Sequence, residues 1–328
     1  MWDKDFAKEI FGSLIALDGN HFNMCFKGFY NGEPYFIKKI KARPSESLCV
    51  IQERIERTER FNRLFMSNGI KTITAICNDG FCTHEKDEAI WIAFPWVDAK
   101  TIEHIDETLC YEIGCLLARI HNIYVVDRYL NTATICKKPD FSWKRLITEQ
   151  EDKALYPFVN ALYDLKQYSD VEKSEIKDQE LIVSHGDVHV GNLLKKDDEY
   201  ILIDWELCGC VNPYAELFDT ALNMSGFLDA HTDIRYFESV VKGYFDIRKD
   251  VTKQIEVDSV IEDVYLLIIE YISNYLNDYL LNKTDDSIKC AKQLLDQFYE
   301  LKKYDKQFKK IINQYAIGNV VGKNGTYV

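Results

Sequence analysis

Several features are scarce in this chain, and each absence excludes something. None of its 328 positions begins a run of about 18 uninterrupted apolar residues, the minimum for a membrane-spanning helix. The N-terminal stretch MWDKDFAKEIFGSL carries charges where a signal peptide needs a long apolar run. Together these predict a soluble, cytoplasmic protein with no membrane partner. Proline is rare, with 6 in the chain, and no Pro/Gly-rich linker, internal repeat or low-complexity tract is present, so its parts are joined by short connections. No CxxC pair occurs among the 10 cysteines, which are scattered and therefore read as reduced thiols inside a cell. Cys208 and Cys210 flank one glycine, and no nearby His or Cys completes a zinc tetrahedron. A formal net charge of -13 makes binding to a nucleic-acid backbone unfavourable and favours cationic partners.

What is present is a 47% apolar chain, long enough for a large core and for two lobes. The first hundred residues are strand-rich. IALDG is followed by MCFKGFY and PYFIKKI, which are separated by the turn-forming NGE. The period turns helical from Ile51 to Met66, then strand-like at ITAIC and IWIAFPWV. After Lys100 helical spacing dominates, at Leu109–His121, Tyr236–Phe245, Val260–Leu281 and Ile288–Tyr304, and only residues 181–205 of this half read as strands. The expected organisation is α+β, with a small antiparallel-sheet lobe over residues 1–98 and a larger, mainly helical lobe over 99–328.

The segment SHGDVHVGNLL, Ser184 to Leu194, and the following YILIDWE, Tyr200 to Glu206, carry the chemistry. Phosphoryl transfer needs a carboxylate to take the acceptor hydroxyl's proton and oxygen ligands to hold Mg²⁺ against nucleotide phosphates. Asp187 and Asn192 lie five apart on a loop entering an apolar strand, and the acidic turn Asp197-Asp198-Glu199 sends the chain back to Asp204. Asn192 and Asp204 can then face one cation, with Asp187 left to meet the substrate.

The pattern HGDxHxxN followed by IDWE resembles the aminoglycoside phosphotransferase and choline kinase superfamily, which shares the protein-kinase fold. The resemblance runs from about Ala16 to Ala221 and implies a bilobal protein-kinase-like fold. It implies Asp187 as catalytic base, Asn192 and Asp204 as magnesium ligands, and His185 as a residue packed behind the loop. It also implies a structural anchor at Asp219.

A kinase-like N-terminal lobe should carry a lysine on a central strand and a glutamate on the next helix to orient it. In PYFIKKIK, Lys38 is preferred over its neighbour Lys39, because the spacing after YFI resembles the kinase Ala-Ile-Lys run. Glu53, Glu56 and Glu59 compete for the helix position. On a helical wheel Glu59 borders the stripe of Ile51, Ile55, Thr58, Asn62 and Phe65, while Glu56 and Glu53 turn toward solvent, so Lys38–Glu59 is the expected pair. The segment Trp91 to Ile102 resembles the hinge on which adenine sits, with the Pro95 carbonyl accepting and the Val97 N–H donating. The loop Asp18 to Asn23 stands where a nucleotide-covering loop belongs, although it is not GxGxxG. His121 reads as a packed histidine, and the role of His189 stays open. Glu206, Glu216, Glu262, Asp263 and Glu270 are candidates to line a cationic acceptor's pocket, and Tyr265, Tyr271, Tyr275 and Tyr279 form either an aromatic wall or core.

The resulting expectation is a Mg²⁺-dependent kinase that moves the γ-phosphoryl group of ATP, or alternatively GTP, to a hydroxyl of a small, cationic molecule. An aminoglycoside-type antibiotic leads as acceptor. The alternatives are a choline-, ethanolamine- or sugar-type kinase and a nucleotide-binding pseudokinase-like protein.

Overall fold

The computed structural model describes residues 2–17, 24–42, 47–125, 152–169, 181–248 and 257–321. The loop from Asp18 to Asn23 lies outside the described residues. The chain divides into two compact units, Met1–Glu103 with His185–Gly209, and His104–Ser184 with Cys210–Val328. The segment carrying Asp187, Asn192 and Asp204 thus packs with the N-terminal sheet.

In the first unit, β1 (Ile15–Ala16), β2 (Met24–Tyr30), β3 (Glu33–Lys41), β4 (Thr83–Lys86) and β5 (Ala89–Pro95) form an antiparallel sheet in the order β1-β2-β3-β5-β4. Strand alternation feeds two cores. Ile37, Ala89, Trp91 and Ala93 meet Trp2 and the Phe6 and Ile10 side chains of helix α1 (Lys4–Gly12) on one face. Ile40, Ile90 and Ile92 meet Ile51 and Ile55 of helix α2 (Leu48–Ser67) on the other. Helix α1 was hidden in the charged N-terminal stretch, yet Phe6, Ala7 and Ile10 fall on one buried face, and Asp3 caps its start by accepting from the Asp5 and Phe6 N–H groups.

Two expectations are corrected here. The run ITAIC is not a ladder strand. It is an extended connection whose Ile76 N–H donates to the Ala93 carbonyl (2.8 Å), where β5 already has β3 on its other side. Cys77 and Cys82 are bonded to each other, because the Asn78–Phe81 turn brings their Cα atoms to 4.1 Å. A second, three-stranded sheet has the order β6-β8-β9, from β6 (Lys100–Thr101), β8 (Leu193–Lys196) and β9 (Glu199–Leu202).

Among the described residues, the second unit is helical apart from β7 (Ile182–Ser184) and its partner β10 (Gly209–Val211), at the unit boundary. Helices α3 (Glu107–His121) and α6 (Ile234–Ile247) cross at Gly114 and Gly243. A Cβ on either glycine would overlap a backbone carbonyl of the opposite helix, Val240 or Tyr111, so only glycine permits this approach. Between α3 and α6, helices α4 (Tyr156–Ser169) and α5 (Pro213–Met224) are described. Phe218 of α5 packs with Phe237 of α6 and Phe308 of α8 (Asp285–Val321). Helix α7 (Val257–Asn282) buries Tyr265 and Tyr279, so these two are core, whereas Tyr271 is exposed. His121 is buried between the Glu216 carboxylate (2.8 Å) and the Tyr244 hydroxyl (2.9 Å), and burial pushes its pKa down. Glu216, a candidate to line a cationic acceptor's pocket, is instead buried against His121. Asp219 is exposed on α5, and its backbone carbonyl accepts from the Asn223 side-chain amide at 2.9 Å.

No described helix is long and apolar enough to cross a membrane.

Candidate active site

All the candidate residues for phosphoryl transfer lie in the first unit. The His-Gly-Asp segment begins with His185, which is fully buried. The Asp187 N–H donates to its Nδ1 (3.2 Å), which leaves Nε2 to donate to the Ile203 carbonyl at 3.0 Å. His185 thus ties the loop to the strand that returns toward Asp204. Gly186 has φ of +81°, and a Cβ there would come within 2.6 Å of the Leu207 carbonyl oxygen. The Gly of HGD is accordingly a steric requirement of this turn.

Asp187 is held from two directions. The Asn192 side-chain amide donates to the Asp187 carboxylate and to its backbone carbonyl, both at 2.9 Å. His189 Nε2 lies 3.4 Å from the other carboxylate oxygen. Desolvation pushes the Asp187 carboxyl up, but the hydrogen bond and charge of His189, with the Asn192 amide, outweigh it and hold the pKa below the usual 3.8. Asp187 is therefore ionised at neutral pH.

Asn192 ends a short 3₁₀ turn and leads into β8, which pairs with β9 through the register Leu193↔Leu202. The Ile203 N–H then donates to the Asn192 carbonyl (2.9 Å), so Asp204 emerges beside Asn192. The Asn192 amide nitrogen is committed to Asp187, so of its side chain only Oδ1 is left to accept. Asp204 adopts the left-handed conformation, φ 63° and ψ 60°, which Asp tolerates better than most residues. The following turn, Trp205–Leu207, buries the Trp205 ring against Phe65 of α2 (5.0 Å) and His185 (4.7 Å), and Trp205 Nε1 donates to the Thr72 hydroxyl at 2.7 Å.

Lys38 of β3 is buried, and its ammonium reaches this turn. It donates to Asp204 at 3.0 and 3.3 Å and pairs with Glu206 at 2.7 Å. Burial alone would lower the Lys38 pKa, but the charges of Glu206 and Asp204 outweigh it and raise the pKa above the ordinary 10.5.

The structure does not bring Lys38 and Glu59 together. Glu59 is buried, but its carboxylate accepts from the Ala75 N–H at 2.9 Å. Burial raises its pKa above 4.5, with the Ala75 hydrogen bond opposing the shift. Glu56, placed toward solvent by the wheel, is buried too, accepting from the N–H groups of Cys82 and Thr83 (both 2.8 Å) and from the Thr83 hydroxyl at 2.6 Å. The physical reason is shared. Residues 74–83 run across α2 and present backbone donors to both glutamates, and a buried N–H left unpaired is costly. A wheel built from one helix holds no information about a segment laid over it. Glu206 was visible in the sequence as an acid two residues beyond Asp204, but its lysine partner comes from a distant strand.

Pro95 and Val97 stand at the end of β5. The Trp96 N–H donates to the Pro34 carbonyl at 3.2 Å, so alternation turns the Pro95 carbonyl and the Val97 N–H to the side away from β3. That is the side on which the Ala93 carbonyl takes its bond from Ile76. Phe94 and Phe36 lie together on the sheet face that carries Lys38, with ring centroids 6.3 Å apart. Among the described residues, no group of three or more His, Cys, Asp or Glu side chains could hold a metal.

The antiparallel sheet with its glycine-turn loop and the helical second unit are an α+β, kinase-like fold. The model of the phosphotransferase enzyme family matches residues 48–249, and the chain belongs to that family. It is thus a phosphotransferase of the kinase type with a hydroxyl acceptor. A spectinomycin phosphotransferase solved with ADP and spectinomycin is 16% identical, with a TM-score of 0.63 over 87% of this chain and 92% of that one. An amicoumacin kinase solved with AMP-PNP and Ca²⁺ is 12% identical, with a TM-score of 0.60 over 90% and 94%. A choline kinase from Cryptosporidium parvum is 13% identical, with a TM-score of 0.55 over 94% of each chain. At such identities these likenesses are of fold. No curated sequence matches the chain.

Proposed function

We propose that this protein transfers the γ-phosphoryl group of ATP to a hydroxyl of a small molecule of the aminoglycoside-antibiotic type, with Asp187 as the catalytic base. The observation that carries the reading is the convergence of two pairs in one unit. Asp187 is hydrogen-bonded to Asn192, and Asp204 is bonded to Lys38, with one peptide N–H joining Asn192 to the residue before Asp204. Nucleotides in the solved spectinomycin and amicoumacin enzymes support ATP as donor.

Asn192 Oδ1 and the Asp204 carboxylate are two hard oxygen donors, the set that suits Mg²⁺. An ion that keeps waters and nucleotide oxygens in its shell needs only one or two protein ligands. When bound, the metal offsets charge on the transferred phosphoryl group. Lys38 supplies a further positive charge to the phosphates. The Pro95 carbonyl and Val97 N–H form an acceptor and donor suited to the adenine amino group and ring nitrogen. Asp187 takes the hydroxyl proton as the acceptor oxygen bonds to the γ-phosphorus and the bond to the ADP oxygen breaks. The sheet unit serves as the nucleotide lobe, and the acceptor is cationic, in keeping with the charge of -13.

The test is ATP consumption with a panel of aminoglycosides, spectinomycin, macrolides and amino alcohols, using the natural protein and Asp187→Asn. Acceptor-dependent turnover is expected, falling by about a thousandfold or more in the variant, while nucleotide binding persists. Turnover confined to amino alcohols would reject the antibiotic class. Equal turnover in the variant would reject Asp187 as base.

A further inference from the structure

Kinases orient the phosphate-binding lysine with a glutamate on the helix beside the sheet. In this chain that helix is α2, and both of its buried glutamates are engaged elsewhere, Glu59 on Ala75 and Glu56 on Cys82 and Thr83. Helix α2 is instead fastened to the catalytic segment through Phe65 on Trp205. The same turn that buries Trp205 carries Asp204 before it and Glu206 after it, and both carboxylates reach Lys38.

We propose that Glu206 is the positioning residue for Lys38, doing from the catalytic segment what a helix glutamate does in other kinases. This rests on the reading that Lys38 serves the nucleotide phosphates. Three observations carry it. Glu206 makes the shorter contact, 2.7 Å against 3.0 Å for Asp204. Its side chain is the more buried of the two, 23% exposed against 41%, so solvent screens its attraction less. Its backbone is set by the Trp205 anchor, which is buried and bonded to Thr72. Asp204 has a second duty as a candidate metal ligand. A carboxylate drawn to a divalent cation loses its hold on an ammonium, and Glu206 is the partner that keeps Lys38 in place. The orientation of Lys38 and the packing of α2 then both depend on one short turn, with Trp205 facing the helix and Glu206 facing the lysine.

A double-mutant cycle tests the assignment. Glu206→Gln, Lys38→Met and the double variant are compared for kcat and nucleotide KM, and for thermal melting without ligand. Glu206→Gln is expected to lower kcat about tenfold with nucleotide KM unchanged or lower, because an anion near the triphosphate has been removed. In the Lys38→Met background the same change should alter kcat less than about twofold and should no longer lower the melting temperature. Glu206→Asp should recover part of the rate. The proposal is overturned if Glu206→Gln lowers kcat equally in both backgrounds. It is also overturned if the main effect is a higher Mg²⁺ requirement, which would make Glu206 a metal ligand. If the natural protein consumes no ATP with any acceptor, the phosphotransfer reading fails by itself. The ligand-free melting cycle then still decides the pair, with coupling supporting it and additivity rejecting it.

Discussion

Replacing Glu56 separates two accounts of helix α2. On a wheel it is a solvated acid, and its removal should change stability by no more than about 0.5 kcal/mol. In the folded protein it is 8% exposed and accepts from three donors, the Cys82 N–H, shared between both carboxylate oxygens, and the N–H and hydroxyl of the fully buried Thr83. Glu56→Ala leaves two backbone N–H groups and a hydroxyl without that acceptor. Each such loss costs about 1–3 kcal/mol when water cannot replace it. The Thr83 hydroxyl is a rotor that still accepts from Gln52 at 3.0 Å, so the low end applies, and the sum is about 3–5 kcal/mol. Glu56→Gln should cost far less. The shortest contacts all converge on Oε1, which a glutamine oxygen can replace, and the loss is the difference between a charged and a neutral acceptor, about 1 kcal/mol. Urea unfolding followed by tryptophan fluorescence reads this well, because Trp2 Nε1 donates to the carbonyl of Cys82 at 3.2 Å. A loss below about 1 kcal/mol in Glu56→Ala would refute the anchoring role. Equal losses in the two variants would show that charge rather than acceptor geometry matters.

Other outcomes follow from the same packing. Glu59 has its pKa raised by burial, so its contribution to stability is present below the ordinary 4.5 and is lost as pH rises through the higher folded value. Glu59→Gln should therefore be favoured relative to the natural protein in unfolding titrations at neutral pH, and the advantage should shrink on acidification below 4.5; a gap that widens in acid would contradict this. Trp205→Phe keeps the ring stack but gives up the bond to Thr72, for about 1 kcal/mol, whereas Trp205→Ala opens a cavity under α2 and should cost about 3–5 kcal/mol in equilibrium unfolding. Gly114→Ala forces a Cβ into the Val240 carbonyl and should destabilise the second unit by about 1–3 kcal/mol or unfold it, as differential scanning calorimetry would show.

Much of the candidate site is written in the sequence because its geometry is local. Asp187 and Asn192 are five residues apart, Asn192 and Asp204 are joined by one hairpin, and a hairpin's register follows from its turn and its period of two. Strand alternation places Lys38 and Lys39 on opposite faces without any knowledge of neighbours, but it was the resemblance to the kinase Ala-Ile-Lys run that selected Lys38. Helix α1 was not read from the sequence, because the charges of the N-terminal stretch mask the single face formed by Phe6, Ala7 and Ile10.

Tertiary structure decided the partners. Glu56 and Glu59 were assigned by a periodicity that sees only the helix, but their fates were set by the segment 74–83 that crosses it and brings unpaired N–H groups. ITAIC has the composition of a strand, yet a strand exists only where a partner offers its edge, and on this side β4 already pairs with Ala89–Ile92 of β5, so Ile76 reaches only the Ala93 carbonyl. Glu206 reaches Lys38 across 168 positions of sequence because a left-handed Asp204 and a buried Trp205 aim it there. Local spacing fixes which side chains share a turn. Which charge meets which is settled only when distant segments compete for the same buried hydrogen bonds.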